Sequence, residues 1–268
     1  MSKIIKKPRS IVPACDVVDL DIYEKIVEAT ADNEKVGAYK IGFALGLTHE
    51  LPKVIEITKE YTDKPIIFDL QKAGNDIPDF GKLFAKTCKN AEIDAVILFP
   101  FSSPITQYEW TKACQDNGLE VIIGGRMTHP RQIEGDYSNT KDKDYSKIFK
   151  ELGFEDDLMG YIREDAPEDI YKLGARMGVT NFVIPGNEPK VAESLIKLLK
   201  KECRDIAIYS PGLITQGGNL SESCELVDKL GIEFHGIIGR GLYWDKKENR
   251  YHTVDEMKKI GLEYTSKI

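Results

Sequence analysis

The sequence predicts an α/β protein, a single (β/α)8 barrel of the TIM type with an insertion between strands five and six. Two observations carry this. Short β-branched runs recur eight times, at Ile11–Cys15, Gly37–Gly42, Pro65–Leu70, Asp94–Phe99, Leu119–Gly125, Asn181–Pro185, Ile206–Ser210 and Phe234–Gly239. Their starts lie 26, 28, 29, 25, 62, 25 and 28 residues apart, and a spacing in the high twenties fits one strand–helix–strand crossover. The runs are continuously apolar rather than alternating, as expected of parallel strands buried on both faces. An open doubly wound sheet is the weaker alternative, because no GxGxxG follows the first strand.

Between the strands lie segments with apolar residues at helical spacing, among them DIYEKIVEAT, PDFGKLFAKTCKNA, KVAESLIKLLKKEC and SESCELVDKLG. The one long interval holds a helix like the others plus an insertion at approximately 132–163. From Glu134 to Asp169 there are 12 acidic and 5 basic residues, with Tyr145, Phe149, Leu152 and Phe154 interspersed. A short helix is expected there. Functionally the segment reads as a lid over the barrel mouth; a solvated surface excursion is the plainer alternative. Residues 1–268 are otherwise read as one domain, a length that suits such a barrel.

Composition narrows the function. With 41% hydrophobic and 30% charged residues and a net charge of −7, the chain is globular and ill suited to nucleic acid or an anionic membrane. A small anionic substrate stays open, since a cleft can be locally positive. The five cysteines (Cys15, Cys88, Cys114, Cys203, Cys224) form no CxxC pair and fit a reducing compartment. The basic N-terminus is broken by Pro13 and Asp16, too early for a leader or a membrane span, so a cytoplasmic location is expected.

In such a barrel the active site gathers at the C-terminal strand ends. Those ends carry Asp16, Lys40, Asp69 with Lys72 and Asp76, the run Gly125 to Pro130, Ser210-Pro211-Gly212 with Gln216, and Gly239-Arg240. The strand-seven and strand-eight loops suit a phosphate: their glycines let backbone approach an anion, Gln216 donates an amide, and the Arg240 fork matches phosphate oxygens. On the other half, Lys40, Asp69, Lys72 and Asp76 alternate in sign and can hold one another ionised. A buried structural ion network would explain those charges but not the phosphate loops. Met127 reads as packing and Ser210 as turn-forming. His129 reads as solvated, and His49, His235 and His252 share no metal-ligand spacing.

Taken in order, Asp16, Lys40, the D-x-x-K-x-x-x-D-I-P stretch at 69–78, Met-Thr-His-Pro at 127–130, Ser-Pro-Gly with Gln216, and Gly239-Arg240 resemble the orotidine 5′-phosphate decarboxylases, in their archaeal-type version. The resemblance implies decarboxylation of orotidine 5′-phosphate to uridine 5′-phosphate in pyrimidine biosynthesis, with no cofactor and no metal. It implies Lys72 as the proton donor to C6, Asp69 beside the departing carboxylate, Lys40 completing the charge network and Asp16 on a ribose hydroxyl. Thr128 would face the pyrimidine. Ser210, Pro211, Gly212, Gln216, Gly239 and Arg240 would line the ribose-phosphate side. Ile77 would contact the substrate, and Asp76 would reach into the partner's site of a homodimer.

Two departures stand out. The family's commoner D-x-K-x-x-D spacing is lengthened by one residue on each side of Lys72, which a bulge and Gly74 can absorb. Phe80 stands where a hydroxyl residue is usual. The rival readings are a metal-dependent sugar-phosphate decarboxylase or aldolase of the same barrel type, which Lys40 opposes by repelling a divalent cation, and a non-catalytic nucleotide-binding barrel.

Overall fold

In the computed structural model, residues 3–70, 73–136, 144–155 and 158–268 are described. Eight parallel strands close in sequence order: β1 (Arg9–Cys15), β2 (Tyr39–Gly42), β3 (Ile66–Asp69), β4 (Ala95–Leu98), β5 (Glu120–Gly124), β6 (Asn181–Val183), β7 (Ala207–Ser210) and β8 (Glu233–Ile238). Each falls within a run expected from the sequence or overlaps it. Closure comes from β1 and β8, which pair from Arg9↔Phe234 to Pro13↔Ile238.

The helices outside the barrel are α1 (Leu20–Thr30), α2 (Phe43–His49), α3 (Leu51–Tyr61), α4 (Phe80–Asn90), α5 (Pro104–Asp116), α6 (Tyr145–Glu151), α7 (Ala166–Arg176), α8 (Pro189–Glu202), α9 (Leu220–Leu230), α10 (Arg240–Tyr243) and α11 (Val254–Thr265). Their starts follow local chemistry. Asp19, Ser103 and Asn219 cap α1, α5 and α9 with side-chain acceptors, and Thr253 with Glu256 forms a capping box on α11. Within the insertion, α6 is the short helix the aromatics foretold. Ile133 bridges Ile162, joining the two ends of the excursion.

Two apolar clusters explain the continuous hydrophobic runs. One fills the barrel interior with Val12, Ala14, Ala38, Ile67, Ala95, Ile97, Ile122, Val183, Tyr209 and Ile237. The other, including Ile11, Tyr39, Ile41, Phe68, Val96, Ile123, Phe182, Ile208 and Phe234, lies against the helices. Neighbours in one strand thus belong to opposite faces, and both faces are buried. Period two also decides which polar residues face inward. Lys40 follows Ala38 and Asp69 follows Ile67, so both enter the barrel at its C-terminal end.

The opposite end is closed by the N-terminal segment, whose Ile4 and Ile5 join the interior cluster. Just above lies a polar layer. His235 is 1% exposed, its Nδ1 is 2.8 Å from Ser10 Oγ, and its ring centroid lies 4.8 Å from that of Tyr209. Burial first, then the charges of Arg9 and Lys3, pushes its pKa down to about 3. His235 is therefore neutral in the fold, while the unfolded chain takes up a proton near the ordinary value of about 6.5. Its contribution is full above that value and is lost as pH falls toward 3. Between pH 7 and pH 4.5 the loss is about 2–3 kcal/mol. Urea denaturation at both pH values should show His235→Gln flattening the dependence by that amount.

Candidate active site

At the C-terminal mouth a cavity of about 340 Å³ opens between the strand ends. Its apolar floor is Ala14, Ile97, Val183 and Ile237; its polar wall includes Asp16, Lys40, Asp69, Arg126, Thr128, Gln216 and Arg240. Register sets the first group. Ala14 aligns with Lys40 and Gly42 with Asp69, so three consecutive strands present Asp16, Lys40 and Asp69 on one rim. Lys40 Nζ donates to Asp16 Oδ1 at 3.1 Å and to Asp69 Oδ2 at 3.0 Å. Lys40 is 5% exposed. Burial alone would strip its proton; the charges of Asp69 and then Asp16, with their hydrogen bonds, reverse that and hold the ammonium well above the usual lysine pKa. The mouth thus carries a cation that does not titrate near neutrality.

Gln71 and Lys72 lie outside the described residues. The chain beyond them is pinned to the end of β4: Phe99 N–H donates to the Ala73 carbonyl at 2.9 Å, and Asn75 bonds both the Phe99 carbonyl and the Phe101 N–H, at 2.9 and 2.8 Å. Gly74 has φ +94°, a conformation glycine adopts freely. Asp76 is exposed, accepts from Ile77 N–H at 2.7 Å, and does not line the cavity of its own chain. Ile77 and Phe80 are exposed as well, at 57% and 47%.

Opposite this group, the loop after β7 turns back on itself. Ile214 N–H donates to the Gly218 carbonyl and Gly218 N–H to the Gly212 carbonyl, at 2.9 and 3.1 Å. Gly212 and Gly217 take positive φ, and so does Ile214 at +63°, a strained setting for a β-branched residue that costs about 1–3 kcal/mol. Pro211, Gly212, Thr215, Gln216, Gly239, Arg240 and Tyr243 line the cavity from this side. Among the described residues no acid pairs with Arg240, which leaves its guanidinium available to an anion. Ser210 departs from the expected set: it is buried, and its hydroxyl donates to the Ile184 carbonyl at 2.9 Å, away from the cavity lining. The reason is the pleat. Tyr209 belongs to the interior cluster, so Ser210 faces the helices.

On the β5 side, Met127 and Thr128 line the cavity, while His129 is exposed, its Nδ1 3.0 Å from the neighbouring Pro130 carbonyl. Arg126 also lines it, without an expected role at the level of sequence. The available signal was alternation, since Ile122, Gly124 and Arg126 share a face. Among the described residues, no group of three or more His, Cys, Asp or Glu is arranged to hold a metal ion, and no helix is long and apolar enough to cross a membrane.

The fold and this mouth define a (β/α)8-barrel enzyme with its working groups at the C-terminal strand ends. A curated relative from Pyrococcus abyssi, named orotidine 5′-phosphate decarboxylase, is 30% identical over 233 residues, 87% of this chain and 90% of its own. Another of that name from Methanococcus maripaludis is 28% identical over 230 residues, 86% and 88% of the two chains. The chain belongs to the orotidine 5′-phosphate decarboxylase family of carboxy-lyases. Solved structures agree in fold: the Methanocaldococcus jannaschii enzyme complexed with the inhibitor BMP (TM-score 0.68, 18% identity, covering 97% and 98% of the chains) and the Pyrococcus horikoshii enzyme (0.67, 22%, 96% and 99%). No protein-family model matches the chain.

The geometry makes Lys40 the group on which the paired carboxylates depend. Lys40→Met should cost about 2–3 kcal/mol at neutral pH, below the full penalty for breaking a buried pair because Asp16 is partly solvated. Adding Asp69→Asn should cost less than the sum of the two single changes. Chemical denaturation of the three variants checks both.

Proposed function

We propose that this chain decarboxylates orotidine 5′-phosphate to uridine 5′-phosphate in de novo pyrimidine biosynthesis, without a cofactor. The observation that carries the reading is Lys40 bridging Asp16 and Asp69 at a mouth whose far wall holds Gln216 and an acid-free Arg240. In this scheme Gln216 and Arg240, with Pro211, Gly212 and Gly239, hold the phosphate. Asp16 takes a ribose hydroxyl, Lys40 reaches the ribose, and Thr128 contacts the base.

Asp69 lies beside the substrate carboxylate and keeps Lys72 in place. The C6–carboxylate bond breaks, carbon dioxide leaves, and the electron pair left on C6 takes a proton from the Lys72 ammonium. A vinylic carbanion has no adjacent electron sink, so fixed charges and a donor already in position must supply the stabilisation. Phosphate binding at the remote end can hold the reacting end against its repulsive neighbour. A divalent cation for the sugar-phosphate alternative would have to sit where the Lys40 ammonium stands.

The same reading takes Asp76 into the site of a partner subunit and gives Ile77 a substrate contact. Two features support it: Asp76 is exposed outside its own cavity, and an apolar groove of about 640 Å³ nearby is lined by Phe43, Leu47, Phe80 and Leu83, all exposed. We take residues at approximately 132–163, of which 137–143 and 156–157 lie outside the described residues, as an insertion or lid-like segment within a single domain, rooted where Gln132 bonds Gly125 and Met127. The five free thiols fit a cytoplasmic setting.

Purified protein should consume orotidine 5′-phosphate in chelator-treated buffer, followed by pyrimidine absorbance, and Lys72→Ala should lower kcat by about 10³-fold or more. No turnover in that buffer would end the proposal. Asp76→Ala and Lys72→Ala subunits, each inactive alone, should regain activity when mixed; persistent inactivity would return Asp76 to its own subunit.

A further inference from the structure

Arg126 is fixed from three directions. Its backbone N–H donates to Tyr171 Oη at 3.1 Å, and that hydroxyl donates to the Val183 carbonyl at 2.6 Å. Gln132 clasps the same turn, accepting from Met127 N–H at 2.7 Å and donating to the Gly125 carbonyl at 3.1 Å. The guanidinium meets Glu188 through Nη2 at 3.1 Å. Its Nε and Nη1 are buried and find no hydrogen-bond partner among the described residues, although the side chain lines the cavity. Buried donors are nearly always satisfied, and those of a cavity-lining arginine point to an acceptor supplied by a ligand.

Charge says which acceptor. Arg126 is already compensated by Glu188, whereas Arg240 has no acid beside it among the described residues. A phosphate, carrying full negative charge, is better served by Arg240; a neutral carbonyl oxygen suits a guanidinium whose charge is already matched. Position agrees, since Arg126 follows β5 together with Thr128, whereas Gln216 and Arg240 come from the loops after β7 and β8. Resting on the nucleotide reading above, we propose that Arg126 is a specificity-determining residue that donates to a ring carbonyl oxygen of the nucleotide base. Both free nitrogens are closed to solvent in this conformation, so a small turn of the guanidinium about its Glu188 contact delivers them.

Calorimetric titration with uridine 5′-phosphate and with ribose 5-phosphate, which lacks the base, separates the roles. Arg126→Met should weaken uridine 5′-phosphate roughly ten- to a hundredfold, the span of one or two charged hydrogen bonds, and leave ribose 5-phosphate unchanged. Equal losses for both ligands would assign Arg126 to the phosphoryl end and overturn the proposal. No loss for either would overturn it too. Should Arg126→Met fail to fold, Arg126→Lys, which keeps the charge but not the fork, is read by the same ratio. Wild-type turnover of orotidine 5′-phosphate tells the failures apart: with turnover intact only the Arg126 assignment falls, and without it the parent reading falls as well.

Discussion

A single ammonium held between two carboxylates organises the mouth of this barrel. Lys40 sits low enough in the structure to be almost dry, and there a lone cation would discharge. The facing Asp16 and Asp69 keep it charged, and it in turn lets both acids stand together on one rim. The register of β1, β2 and β3 is what brings the three side chains together. A slip of one residue in β2 would turn Lys40 outward and leave the two acids facing each other without their counter-ion.

The remainder of the site is built by different means. Across the cavity, hydrogen-bonded loop backbone does the positioning, including a strained Ile214 and two glycines in conformations that other residues resist. Charge is concentrated on the first side and donor groups on the second, with an apolar floor between them. Such a division suits an elongated ligand with an anionic end and a reacting end, because each half can be shaped without disturbing the other.

Much of this was legible in the chain alone. Eight apolar runs at a steady interval imply the barrel because both strand faces are buried, and the strand-end rule then selects Asp16, Lys40, Asp69, Gln216 and Arg240. Placement of individual side chains was harder to read. Ser210 was expected at the ligand, yet the pleat turns it to the Ile184 carbonyl; counting alternate residues from Tyr209 would have shown this. Arg126 falls in the strand-end run but carries no pattern that assigns it a role, since it lies beyond the last residue of β5 while continuing the inward face. Its pairing with Glu188 joins residues 62 positions apart and leaves no local trace. The lengthened D-x-x-K-x-x-x-D spacing around Lys72 follows neither the strand nor the helix period, and pattern reading has no purchase there.

The plug formed by Ile4 and Ile5 deserves a functional reading of its own. Aliphatic side chains stopper the base of the barrel, with a neutral His235–Ser10 layer resting on them, and among the described residues the cavity opens at the other end, between the C-terminal strand ends. On the decarboxylase reading, a gas and a nucleotide product would then leave by the same end of the barrel through which the substrate came.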